Sequence, residues 1–544
     1  MLDTEKTFSS LSEEYVEVSL RQDPVAATMA GLHDYDHQLP DHSPDGLRER
    51  GAWLRDFDQR LVASVPWEEL PTALRVDFAL LRSRLSVARA ELEELKLFAR
   101  NPVRAVETAL YGTFLLAARP FAPIEERKES MLARLMGIPD YLEGSRASLS
   151  QPSSLAIEVA LEVAASGPSY VDDVVRQLVR HFPGEAERIE HAGGRARVGF
   201  LEHIQALERD ARPRATGTFA IGQRWFDWRL EHEHLVGLRC ADLEAFGREA
   251  VERAREELVL EARALDPKRT WQELIEDAQT RHPEPIRVRE AYQAEVARAL
   301  NFVAAKKLAP IPDSALEVVD TPVFERPSTP FVSYLPPAPF DEDQTGWFFV
   351  TPVDLARSRD GALLHAHCDA AITLATVHEG YPGHHLQLAT SNRNGSRLRR
   401  MADSSLMIEG WALYCEELMH TQGFARDRSS RLYQLKDLLW RACRVVVDVG
   451  LQTGGMTVPQ AVEYLIEQAL LDRTTAEIEV KRYALTPTQP LSYLLGKTLL
   501  LELRDETRRR LGSRFNLYDF HAALLASGSV PPALIREELA ERLK

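Results

Sequence analysis

A mostly α-helical fold with a small β element is what this sequence predicts, and three observations carry the expectation. Apolar residues recur at helical spacing through most of the chain, as from Leu74 to Leu97. The cluster Pro310, Pro312, Pro322, Pro327, Pro330, Pro336, Pro337 and Pro339 rules out long helices across its own stretch, because proline lacks the amide donor and clashes with the preceding turn. Two short aromatic and β-branched runs, Thr329–Leu335 and Gly346–Thr351, are bounded by Pro, Gly and Asp and read as strands of a small sheet.

Taken in order, residues 1–212 read as successive amphipathic helices broken at Pro102, Pro120 and Pro123. The pattern continues from Leu155 to Phe182. The Arg/Glu-rich stretch from Gly184 to Arg214 reads as a solvated helix that ends in a linker at Arg212-Pro213-Arg214. That linker sets the boundary near residue 212, with an N-terminal helical region before it and a helical region carrying the candidate site in 213–544. Helices are expected at Ala241–Leu265 and Ala291–Leu308, then the extended, strand-bearing stretch. From Gly361 the helical period returns, interrupted at Pro382-Gly383, Gly454-Gly455, Pro487 and Pro490.

A chain of 544 residues, 44% apolar and 27% charged, is long enough for a substantial core and far from the composition of disordered chains. Its net charge of −16 repels a phosphate backbone, which argues against nucleic acid as a partner. The start lacks a basic region followed by an apolar one, and windows such as Leu155 to Ala165 are too short and too interrupted by Glu158 and Glu162 to span a bilayer. No membrane association is expected. Cys240, Cys368, Cys415 and Cys443 are widely separated, which fits reduced thiols and a cytoplasmic protein.

The densest set of metal-ligand residues is His378-Glu379-Gly-Tyr-Pro-Gly-His384-His385, with His365 and His367 upstream. Zinc takes neutral imidazole and carboxylate ligands, and catalytic sites commonly use three protein ligands with one open position. A glutamate next to a ligand histidine, here Glu379, is placed to take the proton of an activated water. The run departs from His-Glu-x-x-His, because Pro382 stands four positions after His378. Pro382 and Gly383 should break the helix, and the break can bring either His384 or His385 to the second-ligand position. The third ligand is expected from the apolar segment Ile408–Glu417, as Glu409, with Glu416 on the same face to orient a histidine. Arg482, Tyr483 and Tyr493 offer a cation and phenols for a substrate carboxylate or a developing oxyanion. Glu231-His232-Glu233-His234 reads instead as a solvated face.

His-Glu-Gly-Tyr-Pro-Gly-His-His-Leu-Gln, Glu-Gly-Trp-Ala-Leu-Tyr, and Arg-Tyr with Pro-x-Gln-x-Leu-Ser-Tyr together resemble the bacterial domain-of-unknown-function family 885, which is grouped with gluzincin-type zinc peptidases. The resemblance runs from Gly31-Leu-His-Asp-Tyr-Asp36 to Phe520-His521 and Val530-Pro-Pro532. It implies a large helical metallopeptidase-like fold, a Zn2+ cofactor and Glu409 as carboxylate ligand. It departs at Gln452, where many members carry histidine, and at Pro487-Thr-Gln-Pro490, where many carry Pro-Gly-Gln-Ala. The expected activity is zinc-dependent hydrolysis of peptides. The rivals are zinc hydrolysis of a non-peptide amide or ester, and a catalytically silent peptide-binding protein. The strand from Trp347 to Thr351 is a candidate edge for an extended peptide, or is structural.

Overall fold

The computed structural model describes residues 2–322, 326, 329, 331–353, 362–425 and 427–544. Pro327, Pro330 and Gly361, used above to place the extended run and the return of helix, lie outside them. The fold is mostly α-helical, with one three-stranded sheet among the described residues. It divides into two compact units, Met1–Ile221 with Ala338–Asp343, and Gly222–Pro337 with Gln344–Lys544.

The first unit is built of helices whose starts are fixed by side chains accepting from free amides. Asp23 accepts from Ala26 N ahead of Pro24–Ala30, and Ser43 and Ser153 do the same ahead of Pro44–Ser64 and Ser154–Ala164. At its centre Arg134 is wholly buried with its donors spent on the carbonyls of Gln38, Gly112 and Pro24 and on Thr28 Oγ1. The stretch from Gly184 to Arg214 is not a solvated helix. Ile189, Ala192, Ala196 and Phe200 of Ala186–Ala206 are buried, and that helix packs on Ile124–Ser148 and Gly167–His181. Its arginines and glutamates occupy the other face, so composition concealed a narrow apolar stripe.

In the second unit the strands are β1 (Leu316–Asp320), β2 (Val332–Leu335) and β3 (Gly346–Val350), in the order β1-β3-β2. β1 runs parallel to β3 with Val318 opposite Phe348, and β2 runs antiparallel with Tyr334 opposite Phe348. β1 was missed in the sequence because the surrounding prolines leave a five-residue run with weak alternation. β3 is the central strand, paired on both sides, so Trp347–Val350 has no free edge for a peptide. Its hydrophobic run Gly-Trp-Phe-Phe-Val fits that position, since a central strand buries both faces.

Two helix pairs frame the site. Cys240–Leu265 lies along Arg428–Thr453, and Ser405–Thr421 lies along Ser492–Leu511. The second pair crosses at Gly410 and Gly496, where a Cβ on Gly496 would stand 2.1 Å from Leu406 O and one on Gly410 2.5 Å from Gly496 C. Only residues without side chains let the two backbones approach so closely. Among the described residues no helix is long and apolar enough to cross a membrane.

Candidate metal centre

Asp369–Ala375 continues into one wide, π-type turn at Thr376–Gly380, then stops at Tyr381-Pro382-Gly383 before a new helix starts at His384. The break is anchored from Ser405–Thr421: Trp411 Nε1 donates to Pro382 O at 2.8 Å, and Cys415 Sγ lies 3.6 Å from the same oxygen. Gly383 sits so close beneath the turn that a Cβ there would meet His378 O at 1.9 Å. A side chain at 383 would therefore force the two histidine-bearing segments apart.

This geometry brings together His378, Glu379, His384 and Glu409. Glu409 Oε2 is 3.8 Å from His378 Nε2 and 3.5 Å from His384 Nε2. Ligand atoms of His378, Glu379 and His384 lie within 4.8 Å of one another. His378 Nδ1 faces Glu416 Oε1 at 2.8 Å, which leaves Nε2 directed toward Glu409. Two turns of one helix thus supply the carboxylates that face the two ring nitrogens of His378, Glu409 and Glu416. His385 is turned away, with Nδ1 3.0 Å from Tyr334 Oη on β2 and Nε2 3.3 Å from Ser314 O. Of the two histidines that could follow the break, it is His384 that enters the cluster.

The electrostatics favour a positive charge between these groups. Burial works to lower the His378 imidazole, but the carboxylates of Glu409, Glu416 and Glu379 outweigh it and hold it up at about 10. Burial likewise works to raise Glu409, and the two imidazoles outweigh it, keeping that carboxylate well below its usual range. A proton or a divalent cation would satisfy the same pull. The donor set fits zinc: with ligand arms of about 2.0–2.2 Å, tetrahedral donors stand roughly 3.3–3.5 Å apart, close to the two separations at Glu409. His378, His384 and Glu409 are thus the residues that would hold a metal, with Glu379 beside them.

Tyr493 lies with its ring 6.4 Å from that of His378 and inclined by 18°. Burial, then the charge of Glu409, raises its phenol above the usual 10, so the hydroxyl stays protonated and able to donate. Tyr483 does not join the cluster. It is fully buried, and its hydroxyl accepts from Arg444 Nε at 2.6 Å and Trp440 Nε1 at 3.2 Å, and donates to Glu479. Arg482 donates to Glu479 Oε2 at 2.8 Å and to Gln489 Oε1 at 3.2 Å, and its charge acts on Tyr493.

The loop that delivers Tyr493 is held by residues to which the sequence reading gave no role. Asp448 Oδ1 and Oδ2 accept from Thr488 N at 3.2 Å and Leu491 N at 3.4 Å. Gln452 Nε2 donates to the carbonyls of Tyr483 and Ala484. His234 Nε2 meets Thr488 Oγ1 at 2.9 Å. Thr488 has φ +68, a left-handed conformation that a β-branched residue seldom takes, and these bonds hold it there. The glycine of the resembling pattern would adopt it freely. Nor is Glu233-His234 a solvated face: His234 is 2% exposed and Glu233 pairs with Arg229. The signal was present in Trp440, Arg444, Asp448 and Gln452, which recur every four residues, the middle two within the otherwise apolar Cys443–Leu451 run, and so lie toward one helix face.

A comparison with curated proteins found no match. Among solved structures, a Shewanella oneidensis protein called a "putative lipoprotein of unknown function" is 24% identical, covering 97% of this chain and 99% of its own, with a TM-score of 0.80. A Colwellia psychrerythraea protein called a "putative lipoprotein" is 20% identical over 100% of both chains, with a TM-score of 0.87. At these identities the likeness establishes a shared fold. The model of the bacterial proteins of unknown function DUF885 matches residues 24–539, nearly the whole chain, which therefore belongs to that family.

Proposed function

We propose that the chain is a zinc-dependent peptidase related to the gluzincin type. The observation that carries this is the convergence of His378 Nε2 and His384 Nε2 on Glu409 Oε2, with Glu379 within reach of both histidines. His378, His384 and Glu409 would hold the metal ion, which would supply Lewis acidity to a water and to the substrate carbonyl. Glu379 takes the proton as that water attacks the carbonyl carbon, and passes it to the leaving amine. Tyr493 donates its hydroxyl hydrogen to the oxygen that gains charge. Glu416 holds His378 in the tautomer that presents Nε2. The four cysteines are buried and unpaired, which supports a reducing compartment for this activity.

The test is elemental analysis of purified protein together with hydrolysis of a mixed peptide library before and after chelation. About one zinc per chain is expected, with turnover lost on chelation and restored by zinc. His378→Ala and Glu409→Ala should each lose the metal on dialysis against a chelator. Wild-type zinc content in both variants refutes the ligand set, and a zinc-loaded enzyme that cuts no peptide refutes the activity.

A further inference from the structure

Arg444 projects from the Arg428–Thr453 helix beside Tyr493 and is 5% exposed. Its Nε donates to Tyr483 Oη and its Nη2 pairs with Glu479 Oε2 at 3.1 Å. Its guanidinium carbon stands 4.4 Å from the centre of the Trp440 ring and 4.6 Å from that of Tyr493. Nη1 is buried and has no hydrogen-bond partner.

That vacancy separates Arg444 from Arg134, whose donors are spent on main-chain carbonyls and a hydroxyl in the manner of a structural bolt. A buried donor without an acceptor costs about 1–3 kcal/mol, so buried donors are nearly always satisfied by the protein or by an ordered water, and one beside a candidate site is open to an acceptor on a ligand. Arg482 stands near, with 37% of its side chain exposed, and shares Glu479 with Arg444. Two guanidiniums against one carboxylate leave a single positive charge in surplus.

The separations of Arg444 from Tyr493 and of Tyr493 from His378, laid end to end, place the guanidinium within about 11 Å of the His378 ring. An extended peptide advances roughly 3.3–3.6 Å per residue. A carboxylate one or two residues beyond a carbonyl held at the histidines comes within hydrogen-bonding reach of Arg444. A planar two-oxygen monoanion matches both the guanidinium donors and the surplus charge.

We propose that Arg444, with the more exposed Arg482, binds the free C-terminal carboxylate of a peptide, so that the enzyme trims chains from their C-terminal end. The proposal rests on the zinc-peptidase reading above and specifies its substrate. Its test separates the two. Acetylated pentaalanine and its C-terminal amide are titrated calorimetrically into chelator-treated protein, which binds but does not turn over. The acid should bind at least about tenfold more tightly than the amide, the size of one charge-assisted hydrogen bond. Arg444→Gln should abolish most of that preference, and Arg482→Gln, on a half-exposed side chain, serves where the buried variant misfolds. The zinc-loaded wild type should release one or two residues from the acid and spare the amide.

Equal affinity for acid and amide in the wild type overturns the carboxylate site, whether or not either peptide is cut. So does an acid preference that persists in folded Arg444→Gln and Arg482→Gln proteins, or internal cleavage of the amide at the rate of the acid. If the acid is preferred through Arg444 and yet the zinc-loaded enzyme cuts nothing, the peptidase reading fails and the carboxylate site stands.

Discussion

Replacing Gly496 with alanine tests the packing that sets Glu409 opposite Tyr493, independently of any chemistry. The new Cβ would stand 2.1 Å from Leu406 O and 2.8 Å from Gly410 Cα, against 3.4 Å for ordinary contact, so the helices must part by about 1 Å. A gap of roughly 0.5–1 Å forfeits a quarter to a half of each dispersion contact along the seam. Overpacking of this kind typically costs about 1–3 kcal/mol, and backbone that cannot rotate aside places Gly496→Ala at the upper end. Alanine's helix propensity returns about 1 kcal/mol, leaving a net loss of about 2 kcal/mol. Urea unfolding measures it, with Gly395→Ala as control because no atom lies within 4 Å of its added Cβ. Glu409 neighbours the crossing, so the variant should also bind zinc more weakly than the control. A Gly496→Ala protein as stable as Gly395→Ala would refute the argument that close backbone approach fixes this part of the site.

Four further outcomes follow from the geometry. Glu379→Gln should keep metal and fold and lose most of its turnover, because an amide cannot accept the proton of the attacking water; wild-type rates in the metal-loaded variant remove Glu379 from the mechanism. Tyr493→Phe should lower kcat about a hundredfold with KM little changed, the size of one oxyanion donor; an unchanged kcat assigns the ring to packing alone. Glu416→Gln should weaken zinc binding by about 10- to 100-fold, read by competition with a chromophoric chelator, and an unaltered affinity shows that Glu416 does not orient His378. Burial holds the Asp448 carboxyl up at about 8 from its ordinary 3.8, against the pull of the Thr488 and Leu491 amides. An acid raised in the folded state favours folding when protonated, so wild type should lose stability relative to Asp448→Asn as pH rises from about 4 to 8. Parallel stability curves across that range would show that Asp448 is not held neutral.

What the sequence revealed and what it hid divide along a physical line. His378, Glu379 and Glu409 were legible as members of one candidate cluster because the first two adjoin in a run rich in ligand-type residues and the third is a carboxylate in a largely apolar segment, and the Pro382-Gly383 break was legible because proline and glycine act on their own backbone. Which of His384 and His385 enters the site was not, since it depends on the turn at Thr376–Gly380 and on Trp411 holding Pro382 O, a contact 29 positions away. The same holds for Tyr493. Its neighbours Arg482 and Tyr483 looked equally suited, yet Tyr483 is drawn away by Trp440, Arg444 and Glu479. Arg444, Asp448 and Gln452, with the indole N–H of Trp440, could have disclosed that arrangement, because polar groups are seldom buried within an apolar helix without partners to satisfy them. In this helix three of the four, Trp440, Asp448 and Gln452, spend their donors or acceptors on the segment from Tyr483 to Leu491 that carries the chain to Tyr493. Arg444 gives its Nε to Tyr483 and its Nη2 to Glu479, and the buried Nη1 that neither of them meets is what ties a packing feature of the helix to the proposed carboxylate site.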